Sequence, residues 1–204
     1  MRRIVLATNN PGKVQEFNAV LAGFNLEIAP QSAFNVPEAE ETGLTFVENA
    51  LLKARNAALH SGLPALADDS GLVVDALGGA PGIHSARYAG PGADDRANIA
   101  KLLAELSGVP AERRTARFVC ALALLHHPTD PTPLISQASW EGVILTELRG
   151  ANGFGYDPVF FVPSEQCTAA ELEPAVKNRL SHRGRALARL AQALALDPIP
   201  LAAG

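Results

Sequence analysis

Apolar positions along the chain switch between unbroken runs, which suit strands, and a three-to-four-residue spacing, which suits helices. Ile4-Val5-Leu6-Ala7 is an unbroken run and predicts a strand. Val14, Phe17 and Leu21 recur at helical spacing and predict a helix over 13–22. Leu26-Glu27-Ile28-Ala29 predicts a second strand, so the chain opens β-α-β. Thr45-Phe46-Val47-Glu48 reads as a capping box, in which the threonine accepts from the third helical N–H and the glutamate reaches back. The helix it starts is predicted to run to about His60, with Gly62 ending it. Ala65-Leu66-Ala67 predicts a short buried strand ending at Asp68-Asp69-Ser70-Gly71, after which Leu72-Val73-Val74 resumes an extended segment.

Residues 78–92 form a long loop rich in Gly and Pro, too long for idle packing. A helix is predicted over 94–106 and a continuous apolar strand over 117–125. Residues 128–133 turn the chain, and 134–145 returns as a second long strand, bent near Gly142. The loop 150–158 leads into a strand over 159–162, and the last predicted helix covers 183–196. The tail 197–204 carries no pattern. Strands alternating with helices, plus one long hairpin, predict an α/β fold with a mixed sheet.

Composition narrows this picture. The chain has 204 residues, enough for one α/β domain or two small lobes with a boundary near residue 115. It is 48% hydrophobic and 19% charged, as a globular protein with a real core should be. A net charge of −4 advertises no broad basic surface for a nucleic-acid polymer, although a local cation cluster still suffices for a small anion. Cys120 and Cys167 are too few for a disulfide scaffold and read as reduced thiols. With no signal segment and no run near twenty apolar residues, the expected location is the cytoplasm, away from membranes.

The candidate chemistry lies between the predicted elements. Thr8-Asn9-Asn10-Pro11-Gly12-Lys13 joins a strand to a helix, the layout of a phosphate cradle built from helix-start N–H groups and a lysine. It is not a Walker loop, which needs Gly where Ala7 stands and Ser or Thr where Val14 stands. The plainer alternative is a turn with a solvated lysine. Asp68 and Asp69 close a strand, where α/β sheets place ligand groups, and Glu40 and Glu41 precede a helix. Paired carboxylates suit a hard cation such as Mg2+; alternatively they are turn chemistry and a solvated loop. Lys177, Arg179, His182, Arg183 and Arg185 crowd the start of the final helix, a placement that costs stability unless an anion binds. Lys53 could add charge toward the same ligand, yet from spacing alone it reads better as a solvated helix lysine. Phe154-Gly155-Tyr156-Asp157 offers an exposed ring to a base, or else plugs the fold while Asp157 fixes the turn before Pro158. His126-His127 reads as decoration of the hairpin loop.

Taken in order, these segments resemble the inosine triphosphate pyrophosphatase family, the RdgB-like nucleoside-triphosphate diphosphatases. The likeness rests on residues 7–13, 40–50, 67–72, 78–88, 153–158 and 181–184, and covers nearly the whole chain. It implies an elongated mixed sheet with flanking helices, two lobes around a central nucleotide cleft, and one catalytic domain over 1–204. It implies hydrolysis of the inosine, deoxyinosine and xanthosine triphosphates to monophosphate and pyrophosphate, with Mg2+ as cofactor and a homodimer as the assembly. By position, Thr8, Asn9, Asn10, Pro11, Gly12 and Lys13 would hold the triphosphate, with Lys53 adding charge. Asp69 would be the general base, and Glu40, Glu41, Asp68 and Asp69 would form the metal site. Ser70, Phe154, Gly155, Tyr156, Asp157, Lys177, His182 and Arg183 would bind the nucleotide. Two other readings stay open: a pyrophosphatase for modified pyrimidine triphosphates, and a non-catalytic nucleotide-binding module.

Overall fold

The apolar runs pair into one seven-stranded mixed sheet in the order β2-β1-β3-β4-β5-β6-β7. A computed structural model describes residues 2–196; the tail over 197–204 lies outside the described residues. The strands are β1 (Arg2–Leu6), β2 (Leu26–Pro30), β3 (Ala65–Val74), β4 (Thr115–Leu125), β5 (Leu134–Ile144), β6 (Phe160–Val162) and β7 (Cys167–Thr168). The helices are α1 (Pro11–Leu21), α2 (Phe46–Ser61), α3 (Asp95–Glu105), α4 (Pro174–Leu180) and α5 (His182–Leu196). β1 lies between β2 and β3 and runs parallel to both, with Ile4 opposite Ile28 and Val5 opposite Ala65. β6 pairs antiparallel with β5 and with β7.

Burial follows the sequence pattern. Ile4, Val5 and Leu6 are buried in succession, as in a strand covered on both faces. β5 instead alternates, burying Ser136, Ala138, Trp140 and Ile144 between more exposed neighbours. Gly142 is a close-packing site, because a Cβ there would lie 2.5 Å from the Phe160 ring.

β3 departs from expectation. The predicted stop at Asp68-Asp69-Ser70-Gly71 does not occur, and one ten-residue strand runs through it. Turn chemistry loses to the sheet, because the two aspartates meet lysines and their burial is compensated.

Two compact units divide the chain. The first holds residues 2–69, 121–137 and 186–196 among those described; the second holds 70–120 and 138–185. In the first unit, Ala50, Ala54, Ala57 and Ala58 form a fully buried stripe on α2, packed with Val5, Ala65, Ala67, Ala123 and Leu125. In the second, Leu72, Leu102, Phe118, Trp140, Tyr156 and Phe160 lie in one apolar cluster. Phe160 sits 4.5 Å from Phe118 and 5.4 Å from Trp140, both tilted contacts between ring centroids.

Candidate active site

The capping box that starts α2 also begins the site. Thr45 Oγ1 accepts from the Glu48 N–H at 3.2 Å, and Glu48 accepts from the Leu44 N–H at 2.8 Å. These bonds fix where α2 begins, and the helix then presents Asn49 and Lys53 one turn apart on one face. The other end closes as predicted, with Gly62 at φ 68° donating to the Ala58 carbonyl at 3.0 Å.

Lys53 Nζ donates to Glu41 at 2.9 Å and to Asp69 at 2.7 Å. Its side chain is 17% exposed, so the picture of a solvated lysine does not hold. Burial alone would lower this ammonium, but Asp69, Asp68 and Glu41 hold it above its ordinary value. Burial likewise pushes the Asp69 carboxyl up, with Lys53 pulling the other way and Glu41 adding to the rise. Asp69 is therefore a recessed carboxylate poised by one cation and one like charge, the arrangement from which general bases are made.

Asp68 is deeper, its side chain 2% exposed, and both its oxygens accept from Lys13 Nζ at 2.9 Å. Lys13 is thereby drawn back from the first turn of α1 toward β3. Unpaired backbone donors were expected at this helix start, and here the structure differs. Asn10 caps the helix, its Oδ1 accepting from the Gly12 N–H at 2.9 Å and the Lys13 N–H at 3.2 Å. The Asn10 N–H turns to Thr8 Oγ1 at 3.2 Å, and Pro11 has no N–H to offer. The Asn10, Gly12 and Lys13 N–H groups are thus taken within the turn, so a phosphate would meet Lys13 and the remaining groups of the turn or displace the Asn10 cap.

Of the two glutamates, Glu41 reaches this cluster through its ion pair with Lys53, and Glu40 is exposed. Glu41 and Asp69 meeting on one ammonium show that this pair can share a cation. Two carboxylates with water and phosphate oxygens make up an ordinary shell for a hard divalent ion. Among the described residues no group of three or more His, Cys, Asp or Glu could hold a metal unaided. The donor set therefore fits such an ion when substrate oxygens complete it.

The second unit carries the remaining predicted residues, with Ser70 half-buried on β3. Phe154 is 64% exposed, and Lys177 Nζ stands 4.9 Å from its ring centroid. The Phe154 N–H donates to Asp157 at 2.8 Å, and Asp157 pairs with Lys177. Gly153, at φ 78°, permits this approach, since a Cβ there would overlap the Asp157 carboxylate. The Gly155 N–H donates to Asp95 at 2.6 Å, which ties the loop to the first turn of α3. Tyr156 takes the plug alternative: it is 4% exposed and its hydroxyl donates to the Ser85 carbonyl at 2.8 Å.

The cations predicted at the last helix lie on two helices. Lys177 belongs to α4 and pairs with Asp157, while Arg185 donates to the Ser139 carbonyl at 3.1 Å. His182 and Arg183 are buried, and the His182 ring stacks on Phe118 at 5.0 Å. Ser181 caps α5 as expected, accepting from the Gly184 N–H at 3.1 Å. His126 is more than decoration, since Asp130 accepts from its N–H and contacts its Nδ1, both at 2.9 Å.

Two residues in this geometry were given no role from the sequence: Asn49, which lies within the segment 40–50 and whose side chain meets Asp69, and Asp95, which holds the Phe154 loop. A further signal for Asn49 was its place one turn before Lys53 on a capped helix.

Comparison with known proteins is consistent along the chain. The Ham1 family model matches residues 4–193. The chain is 60% identical over 190 residues to a dITP/XTP pyrophosphatase of Vibrio parahaemolyticus, spanning 93% of this chain and 95% of that one. It is 59% identical over 194 residues to one of Shigella flexneri, spanning 95% and 98%. Among solved structures, a HAM1 protein from Coxiella burnetii superimposes with a TM-score of 0.93 at 52% identity, spanning 96% of this chain and 100% of that one.

Proposed function

We propose that this chain, which belongs to the Ham1 family, hydrolyses deaminated purine nucleoside triphosphates (ITP, dITP and XTP) to the monophosphate and pyrophosphate. The observation that carries the chemistry is the lysine-bridged pair of Glu41 and Asp69, with Lys13 held beside them on Asp68. The naming of close relatives as dITP/XTP pyrophosphatases supports the substrate class. The acids also speak against a purely binding module, which gains nothing from carboxylates aimed at a polyphosphate.

In this mechanism Asp69 is the general base. It takes a proton from water, the oxygen attacks the α-phosphorus, and pyrophosphate leaves with the bridging oxygen. Lys13 and Thr8, with Asn9, Asn10, Pro11 and Gly12 shaping the turn, meet the phosphates, and Lys53 holds Asp69 ionised against burial and against Glu41. Glu41 and Asp69 would hold Mg2+ together with substrate oxygens; when bound, that ion neutralises charge on the leaving group. Asp68 holds Lys13 in place. In the second unit, Phe154 offers a ring for the purine, Asp157 orders that loop, and Lys177, His182 and Arg183 supply donors for a 6-keto oxygen. An amino group there would leave donors unpaired, which would disfavour adenine.

The same reading makes the enzyme a homodimer of the cytoplasm. Among the described residues no helix is long and apolar enough to cross a membrane.

The test is incubation with ITP, dITP, XTP, ATP and modified pyrimidine triphosphates with and without Mg2+, followed by pyrophosphate measurement. Mg2+-dependent release from the deaminated purines, lost in Asp69→Asn with thermal stability retained, is the expected result. Release mainly from the pyrimidines, or binding without any release, overturns it.

A further inference from the structure

Asn49 has no part in the chemistry just described, yet it touches the base. It is 0% exposed on α2, one turn before Lys53. Its Oδ1 accepts from the Gly43 N–H at 2.9 Å, and its Nδ2 donates to Asp69 Oδ2 at 3.4 Å. A backbone N–H can only donate, so the amide oxygen belongs on the Gly43 side and the nitrogen on the Asp69 side. The approach is built in, because a Cβ on Gly43 would lie 2.7 Å from Asn49 Oδ1 and 2.6 Å from the Glu48 Cβ.

This makes the two oxygens of Asp69 unequal. Oδ1 accepts from the Lys53 ammonium at 2.7 Å, and Oδ2 accepts from a neutral amide. The carboxylate plane is thereby set from two points on one helix face. Resting on the reading of Asp69 as general base, we propose that Asn49 is the positioning residue for the hydrolysis. The proton passes from water to Asp69; the water oxygen bonds to the α-phosphorus; the bond to the bridging oxygen breaks, and its electron pair leaves with pyrophosphate.

Asn49 could instead serve only to tie the Gly43 turn to α2, and two substitutions separate these roles. Asn49→Asp keeps an acceptor for Gly43 and removes the donor to Asp69; Asn49→Ala removes both. Each is compared with wild type and Asp69→Asn for kcat and KM with dITP and Mg2+, for equilibrium binding of α,β-imido-dITP, and for melting temperature. Both Asn49 variants should lose kcat by about 10–100-fold, while KM and analogue binding stay within about threefold of wild type. Asn49→Asp should also melt closer to wild type than Asn49→Ala. Near-normal kcat in Asn49→Asp overturns the proposal, as does a loss confined to analogue binding. If Asn49→Ala fails to fold, Asn49→Ser, whose hydroxyl both accepts and donates, carries the same comparison and should retain more kcat than Asn49→Asp. Failure of the underlying reading looks different: wild type releases no pyrophosphate, or Asp69→Asn remains active.

Discussion

Lys53→Met is the sharpest probe of the site. It preserves the length and the apolar stem of the side chain and removes one charge. In the native protein that charge lies 2.9 Å from Glu41 and 2.7 Å from Asp69, with side-chain exposures of 17%, 27% and 11% for Lys53, Glu41 and Asp69. At an effective dielectric near 20, each contact is worth about 5–6 kcal/mol before desolvation is counted. Removing one partner of a fully buried pair costs roughly 3–5 kcal/mol, and partial exposure scales that to about 2–4 kcal/mol here. In a chain of this size the melting temperature should fall by roughly 5–15 °C. Without the ammonium, burial and Glu41 act on Asp69 against the Asn49 amide alone, favouring its protonated form. A protonated Asp69 accepts no proton, so kcat/KM should fall by about 100-fold or more. The two carboxylates now lack their shared cation, so Mg2+ should raise the melting temperature of the variant more than that of wild type. The assay is pyrophosphate release from dITP beside thermal melts in Mg2+ and in EDTA. Wild-type turnover, or an unchanged melting temperature in EDTA, would refute the electrostatic account.

Other outcomes follow from single contacts. Lys13→Ala should raise KM and lower kcat together, and it should destabilise the fold by roughly 1–3 kcal/mol because Asp68 stays buried without its lysine; unchanged kinetics would return the first turn to a structural role. The Asp130 carboxyl, whose burial is outweighed by N–H groups of His126 and Thr132, is lowered from 3.8 to about 2. A depressed carboxyl stabilises the fold above its unfolded pKa and loses that contribution as pH falls through the folded value. Asp130→Asn should therefore be less stable than wild type by about 1–2 kcal/mol above pH 4, with the gap closing toward pH 2 in denaturant titrations; a gap that widens in acid would contradict this. Gly142→Ala should cost roughly 1–3 kcal/mol by driving a methyl into the Phe160 ring, read as a lower denaturation midpoint.

Local signals in the sequence translated well. The capping box at Thr45, the glycine end at Gly62 and the Ser181 cap each depend on residues within one or two turns, and each is present. What failed was long-range. Asp68-Asp69-Ser70-Gly71 has the composition of a turn, but its countercharges come from Lys13 and Lys53, 55 and 16 residues away, and no local pattern reports them. Asn10-Pro11 carried a legible cap signal, asparagine before a proline in the first helical turn, that the phosphate-cradle reading passed over. α4 is seven residues long, too short to establish a period. Which ring of Phe154-Gly155-Tyr156-Asp157 would be exposed was not legible, because the partners that bury Tyr156 lie far along the chain.

The alanine stripe on α2 bears on how this chain can vary. Ala50, Ala54, Ala57 and Ala58 touch no substrate, yet their smallness keeps the helix axis close enough to β3 for a side chain as short as Asn49 to reach Asp69. Alanine codons are a single base change from valine. Such a mutation would add bulk under the helix and lift the Asn49–Lys53 face, altering turnover from a position with no chemical group of its own. A library diversified only at polar residues would never find these sites. A random one would find them early, as loss-of-activity variants with no evident place in the mechanism.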